Sequence, residues 1–308
     1  MGDIVSLVRA HSSEREVKDS IAYALGLIDF HAEGPVRSVA IKANLCYYWS
    51  AATGQTTDPR VVSGIIDYVR ERYGTDISIR VVEADGTAMR TNHAFLMLGY
   101  EELAKEKSIE LFNLSKDSVC EKSVEVGGRE ITFRIPQSLY STDLFINVPK
   151  LKTARQTKIT CAMKNIFGCI ASPRKIVYHP FLSEAIVGIN KVLHPNLTVV
   201  DGLVGLGRFP VRLDLIMASI DPFSTDWVAS QIMGYPPSTI GFLRVARKES
   251  LGDPKGITTR GENLNAFKKV FPKPNFLSSE AGWAAQLKML RLYAHIVNDV
   301  IPPFLEES

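Results

Sequence analysis

The sequence has no Asp or Glu between Leu144 and Ser183, although that stretch carries Lys150, Lys152, Arg155, Lys158, Lys164, Arg174 and Lys175. Elsewhere the charges mix, with 36 Lys+Arg against 33 Asp+Glu. The bias is therefore local. A one-signed cluster repels itself unless an anion or an acidic wall answers it. Other shortages narrow the function. The 4 cysteines form no C-x-x-C pair, which argues against a zinc ribbon or an iron–sulfur cluster held by this chain alone. His93, His179 and His194 are isolated, so no metal is assigned and no cofactor can be named. No apolar run approaches the ~18 residues of a membrane span. The N-terminus lacks a basic segment followed by an apolar one, so no secretory signal is expected. A net charge of +3 does not by itself imply nucleic-acid binding, and the basic run has few aromatics on which bases could stack. There is no internal repeat. The expectation is a soluble cytoplasmic protein that binds neither membrane nor nucleic acid.

What is present reads as alternating strands and helices. Ile4 to Val8 is a strand, and Ser13 with Glu16 forms a capping box opening a helix to about Ile28. Val36 to Ile41 is a strand, and Asp58-Pro59 starts a helix that stops at Gly74. Ile77 to Val82 and Leu144 to Val148 are further strands, and Val119 to Ile135 alternates around Gly127-Gly128 as a hairpin. Ile159 to Phe167 and Leu182 to Leu193 read as helices. Strands follow at Leu197 to Val200 and Leu215 to Ile220, then helices from about Ser224 and Ser238. The predicted fold is α/β: a mainly parallel, Rossmann-like open sheet with helices on both faces and an inserted β-hairpin. Residues 1–250 would form this core, with the insertion near 117–136. Residues 251–308 would add an irregular segment and a C-terminal amphipathic helix, Gly282 to Val300, packed on the core. That helix's apolar face leaves a homodimer open.

Polar clusters follow the strand ends: Lys42/Asn44, Glu83/Asp85, Lys150/Lys152, Asp201 and Asp221. Open α/β sheets bind ligands outside the carboxyl ends of their strands, so these clusters are expected to share one cleft. Lys42 would be a cation for a substrate anion, or a base or imine-former if its pKa is lowered. Cys46 is a weaker nucleophile candidate, with a buried small hydrophobe as the alternative. Lys150 and Lys152 could grip a phosphate or carboxylates. Lys164 and Asn165 supply an ammonium and an amide beside small residues. The free N–H groups after Thr57 and Asp58 could hold an anion, although plain N-capping by Asp58 explains that pattern better. Asp201 and Asp226 would serve as a base or metal ligand, or pair with the lysines. Gly202 to Gly207 has a G-x-x-G-x-G order, not the dinucleotide fingerprint, and reads as a flexible loop over the cleft.

Taken together, Lys42 to Cys46, Thr56 to Pro59, Asn147 to Thr153, Met163 to Cys169, Asp201-Gly202 and Asp221 to Asp226 resemble the uncharacterised "domain of unknown function 362" family. The family pattern often has His after the Lys-Thr pair, where this chain has Ala154. The resemblance implies a soluble, prokaryotic-type protein without an assigned biochemistry. Some relatives carry a ferredoxin-like iron–sulfur module whose cysteine run is missing here, so a cluster would come from a partner. Two functions follow. The first is an enzyme acting on a small anionic metabolite, carboxylated or phosphorylated, held by Lys42, Asn44, Thr57, Asp58, Lys150, Lys152 and Asn165, with Asp201, Asp226 and Lys164 as catalytic candidates. The second is a redox accessory that docks a ferredoxin-like protein through the exposed basic run.

Overall fold

The computed structural model describes residues 3–10 and 13–272. In chain order these form β1 (Ile4–Arg9), α1 (Glu14–Leu27), β2 (Ser38–Lys42), α2 (Pro59–Tyr73), β3 (Ser78–Glu83), α3 (Thr91–Met97), α4 (Tyr100–Lys107), β4 (Glu110–Asn113), β5 (Val119–Val126), β6 (Arg129–Pro136) and α5 (Gln137–Tyr140). Then come β7 (Leu144–Asn147), β8 (Lys150–Ala154), β9 (Lys158–Thr160), α6 (Ala162–Phe167), α7 (Leu182–Val192), β10 (Leu197–Leu206), β11 (Pro210–Ser219), α8 (Pro222–Ile232), α9 (Gly241–Lys248), β12 (Thr258–Gly261) and α10 (Leu264–Lys268).

The main sheet runs β12-β1-β11-β10-β7-β2-β3-β4. From β10 to β4 every neighbouring pair is parallel, whereas β11 is antiparallel to both β10 and β1. Period-two alternation sorts the strand side chains onto two faces. Val39, Ile41, Leu144, Ile146, Val199 and Ile216 face one core with α1 and α2. Ala40, Phe145, Val200, Leu215 and Met217 face the other, with α6 to α9 and the hairpin. The result is a three-layer α/β fold. Its sequence signals are visible in place. Ser13 and Glu16 close the capping box of α1, and the Asp58 side chain accepts the Arg60 N–H at the start of α2. Gly127 and Gly128 both take positive φ at the tip of the β5–β6 hairpin, which the tight I′ turn requires.

Some expectations are corrected. The helix expected from Ile159 begins only at Ala162, because Lys158 to Thr160 pairs with β8 as β9. Ile159 is fully buried from that strand, so its apolar character fits either period. Gly202 to Leu206 is not a loop but the second half of β10, paired with β11. The glycines there answer close approach: a Cβ on Gly202 would lie 2.9 Å from the Leu215 carbonyl oxygen. The stretch after residue 252 is less irregular than expected, since β12 extends the sheet beside β1 and Phe267 of α10 is buried. The helix expected from Gly282 to Val300 lies outside the described residues.

The order of strands creates the site. From β2 the chain builds outward to β3 and β4, then returns to place β7 on the opposite side of β2. Connections leaving β2 and β7 diverge there, which opens a crevice at their carboxyl ends.

Candidate functional site

A cavity of about 750 Å³ occupies this crevice. It is walled by segments following β2 (Lys42, Asn44, Cys46) and β3 (Glu83, Gly86, Met89). The remaining wall comes from β8 and β9 (Lys152, Thr160), from α6 (Lys164, Asn165), and from the turn behind α6 (Lys175, His179).

Lys42 is fully buried at the end of β2. Its ammonium lies 2.7 Å from Glu83 Oε1 and also donates to the Ala43 carbonyl and to Asn165 Oδ1. Glu83 is fixed in turn, accepting the N–H groups of Leu45 (2.9 Å) and Ala84 (3.0 Å). Gly168 leaves room for Lys42, since a Cβ there would approach Lys42 Nζ to 3.2 Å. The small residues beside Lys164 thus admit a protein side chain. Asn165 ties the floor together. Its Oδ1 accepts from Asn44 Nδ2 at 2.9 Å, and its Nδ2 donates to Asn147 Oδ1 at 2.8 Å. Asn44 Oδ1 is buried at the cavity wall without a partner among the described residues.

The other cations differ in how they are held. Lys152 donates to the Gln55 carbonyl at 2.6 Å and to the Cys46 sulfur, and burial lowers its pKa. Lys175 donates to the Asp85 carbonyl. Burial brings its pKa down to about 8, with Lys42 adding to the fall against the opposing pull of Glu83. Lys164 stands on α6 with its ammonium at the wall and no hydrogen bond or ion pair among the described residues. Burial, with the like charge of Lys152 second, brings its pKa down to about 8.

The residues singled out in the sequence therefore divide. Lys42, Asn44, Lys152, Lys164 and Asn165 converge on the cavity. Thr57, Asp58, Lys150 and Asp201 form a closed cluster behind it. Lys150 Nζ and Asp201 Oδ2 pair at 2.7 Å with neither side chain exposed, and Asp201 also accepts the N–H groups of Asp58 (2.7 Å) and Leu203 (3.0 Å). Thr57 Oγ1 accepts the Asn44 N–H at 2.9 Å and donates to the Val148 carbonyl at 2.8 Å, while the Asp58 carboxylate is taken by Arg60. Lys150 and Lys152, expected to grip a phosphate or carboxylates together, are separated in role because Asp201 faces Lys150 in register on β10 and captures it. Asp226 lies under α6, accepting the N–H groups of Ala162 (2.7 Å) and Met163 (2.9 Å). Burial raises its pKa to about 7. Asp221 is at the opposite edge of the sheet, because β11 runs against its neighbours. There it caps α8 through the N–H groups of Phe223 and Ser224. Among the described residues no group of His, Cys, Asp and Glu is placed to hold a metal ion.

Lys175 and Glu83 belong to the cavity and were not singled out as site residues. Lys175 lay within the acid-free run and Glu83 at a strand end, so each carried a signal. Their convergence is a property of the sheet order.

A family model described as a domain of unknown function, DUF362, matches residues 39–231. The chain belongs to this family. The matched region contains every cavity residue named above. A thylakoid-associated protein of Synechocystis is 32% identical over 146 residues, covering 41% of this DUF362 chain and 45% of that protein. The chain thus spans less than half the length of that curated relative. Among solved structures, a protein from Thermotoga maritima overlaps 61% of this chain and 50% of its own at 14% identity and a TM-score of 0.37. The lactate racemase apoprotein of Thermoanaerobacterium thermosaccharolyticum overlaps 64% and 50% at 15% identity and a TM-score of 0.35. No helix among the described residues is long and apolar enough to cross a membrane.

Proposed function

We propose that this DUF362 protein is an enzyme that binds a small carboxylated or phosphorylated metabolite in the cavity at the carboxyl ends of β2 and β7. One observation carries the reading: four lysines line the cavity, and Glu83 is the one carboxylate in its described wall. Glu83 answers Lys42, whereas Lys152 and Lys164 have no ion-pair partner among the described residues. Two such ammoniums, Lys152 buried and Lys164 half-buried, cost stability when no ion-pair partner answers them, and an anionic guest would offset that cost. Asn44 Oδ1, buried and unpartnered, adds an acceptor that could orient a guest's hydroxyl or amide. Lys150, Asp201 and Asp226 act in this reading as supports of the wall. Docking of a ferredoxin-like partner gains no comparable support, because Lys150, Lys152 and Lys175 are buried rather than presented on the surface.

Thermal shift tests the proposal. Inorganic phosphate, malonate and pyruvate are compared with potassium chloride at equal ionic strength. A native-state ligand at about 100 times its Kd stabilises by about 2.7 kcal/mol, which raises Tm by several degrees. At least one anion should do this for the wild-type chain, and Lys152→Met should lose most of the shift. If no anion exceeds the chloride control, the proposal fails.

A further inference from the structure

Within that anion-binding reading, on which this inference rests, the four lysines are not equivalent. Three are tied to protein acceptors: Lys42 to Glu83, Ala43 and Asn165, Lys152 to the Gln55 carbonyl, and Lys175 to the Asp85 carbonyl. Each of these ammoniums is anchored by at least one protein acceptor, and an anchored ammonium is suited to hold a guest's charge rather than to attack its carbonyl. Lys164 has no such acceptor among the described residues and stands at the cavity wall. Its backbone is fixed rather than mobile. The first turn of α6 is pinned by Asp226 through Ala162 and Met163, and the next residue, Asn165, is locked by Lys42, Asn44 and Asn147. A lysine with a rigid base, an uncommitted amine and a neighbouring cation is the arrangement by which lysine side chains attack carbonyl groups.

We propose that Lys164 forms an imine with a 2-oxo acid whose carboxylate is held by Lys152. Lys152 suits the second role because the Gln55 carbonyl fixes its ammonium against the same cavity. The nearness of the two charges is felt at Lys164, where burial and then Lys152 bring the ammonium pKa down to about 8, so that a large share of the amine is neutral at mildly alkaline pH. In the step, the neutral amine's lone pair forms a C–N bond to the carbonyl carbon and the carbonyl oxygen takes up a proton. The carbinolamine then loses that oxygen as water, giving R–N=C and one H₂O from R–NH₂ and O=C. Nothing is oxidised or reduced.

The test is reductive trapping on the full chain. Wild-type protein is incubated with pyruvate, glyoxylate or 2-oxoglutarate and cyanoborohydride, then digested and mapped by mass spectrometry. Hydride reduction leaves a secondary amine whose mass gain is that of the acid less one oxygen atom. At least one acid should modify Lys164 roughly tenfold or more above the exposed Lys105 and Lys248, because neither of those side chains lines the cavity beside Lys152. Lys164→Arg should abolish the adduct, because a guanidinium keeps the positive charge but has no amine that can form the imine. Lys152→Met should lower the yield with pyruvate but not with acetone, which has no carboxylate to place. A wild-type chain that shifts with an anion yet shows no preferential adduct at Lys164 with any of the three acids overturns the imine and leaves anion binding standing. Modification centred on Cys46, or spread evenly over surface lysines, overturns it as well. Absence of both shift and adduct overturns both readings.

Discussion

At the residue scale, the cavity lysines contribute to the site at the expense of the fold. Lys164 has its pKa brought from 10.5 to about 8, chiefly by burial. In the unfolded chain the same ammonium regains water, so below pH 8 the native state carries the full penalty. The penalty fades as pH rises from about 8 to 10.5, where the unfolded chain holds a proton that the native chain has released. Lys164→Met, nearly equal in volume, should therefore stabilise the protein by roughly 1–3 kcal/mol at pH 7. The gain should shrink toward zero at pH 10, measured by urea unfolding at both values. An unstabilised or less stable variant at pH 7 would show that the ammonium finds better compensation than the described partners supply. Lys42 belongs to a different class. Glu83 and two carbonyl acceptors satisfy it, so removing either partner would strand a buried charge rather than relieve one.

At the element scale, α6 shows how a short helix is held in place. Six residues are too few to be stable alone, so its position comes from tertiary contacts. Asp226 on α8 supplies two of them by taking the Ala162 and Met163 N–H groups, and the Cys161 thiol supplies a third. Asp226→Ala would leave these donors unpaired in a dry site, a loss of about 2–4 kcal/mol. The variant should also lose the anion-induced thermal shift, because Lys164 moves with the helix. The carboxyl's pKa is raised to about 7 by burial. Its protonated form is thus the one the fold prefers, and the wild-type chain should lose stability as pH climbs from about 4 to about 7. Denaturation curves at pH 5 and pH 7 for the two proteins check this, and an equal slope in both would sink the assignment. The sequence signalled this element only partly. Met163, Ile166 and Phe167 recur at helical spacing and do line one buried face, but Ile159 satisfied the same spacing while belonging to β9. Periodicity cannot separate a buried strand residue from a buried helix residue over so short a span.

At the scale of the whole molecule, the sheet decides what meets what. Its centre, β7 and β2, is covered on both faces and paired on both edges, while β4 and β12 lie at the ends. Backbone amides of β2 and β7 should exchange with solvent most slowly, and those of β12, whose residues are all exposed, orders of magnitude faster. Hydrogen-exchange mass spectrometry reads this directly, and comparable rates in the two regions would contradict the described sheet. Much of the architecture was written locally. The capping box at Ser13, the Asp58-Pro59 start, the Gly127-Gly128 turn and the alternating strands each act within a few residues of chain, so they can be read in one dimension. The acid-free run likewise marked where positive charge concentrates. Which of those charges share a space was settled only by strand order and direction. Reversal of the chain between β4 and β7 brings Lys42 and Lys164 to one crevice, whereas β11, antiparallel to both β1 and β10, carries Asp221 to the far edge. In the same way the register of β10 against β8 commits Lys150 to Asp201 and leaves Lys152 to the cavity. Local signals depend on neighbours in sequence. Convergence depends on hydrogen-bond pairings between segments a hundred residues apart, and no short pattern encodes those.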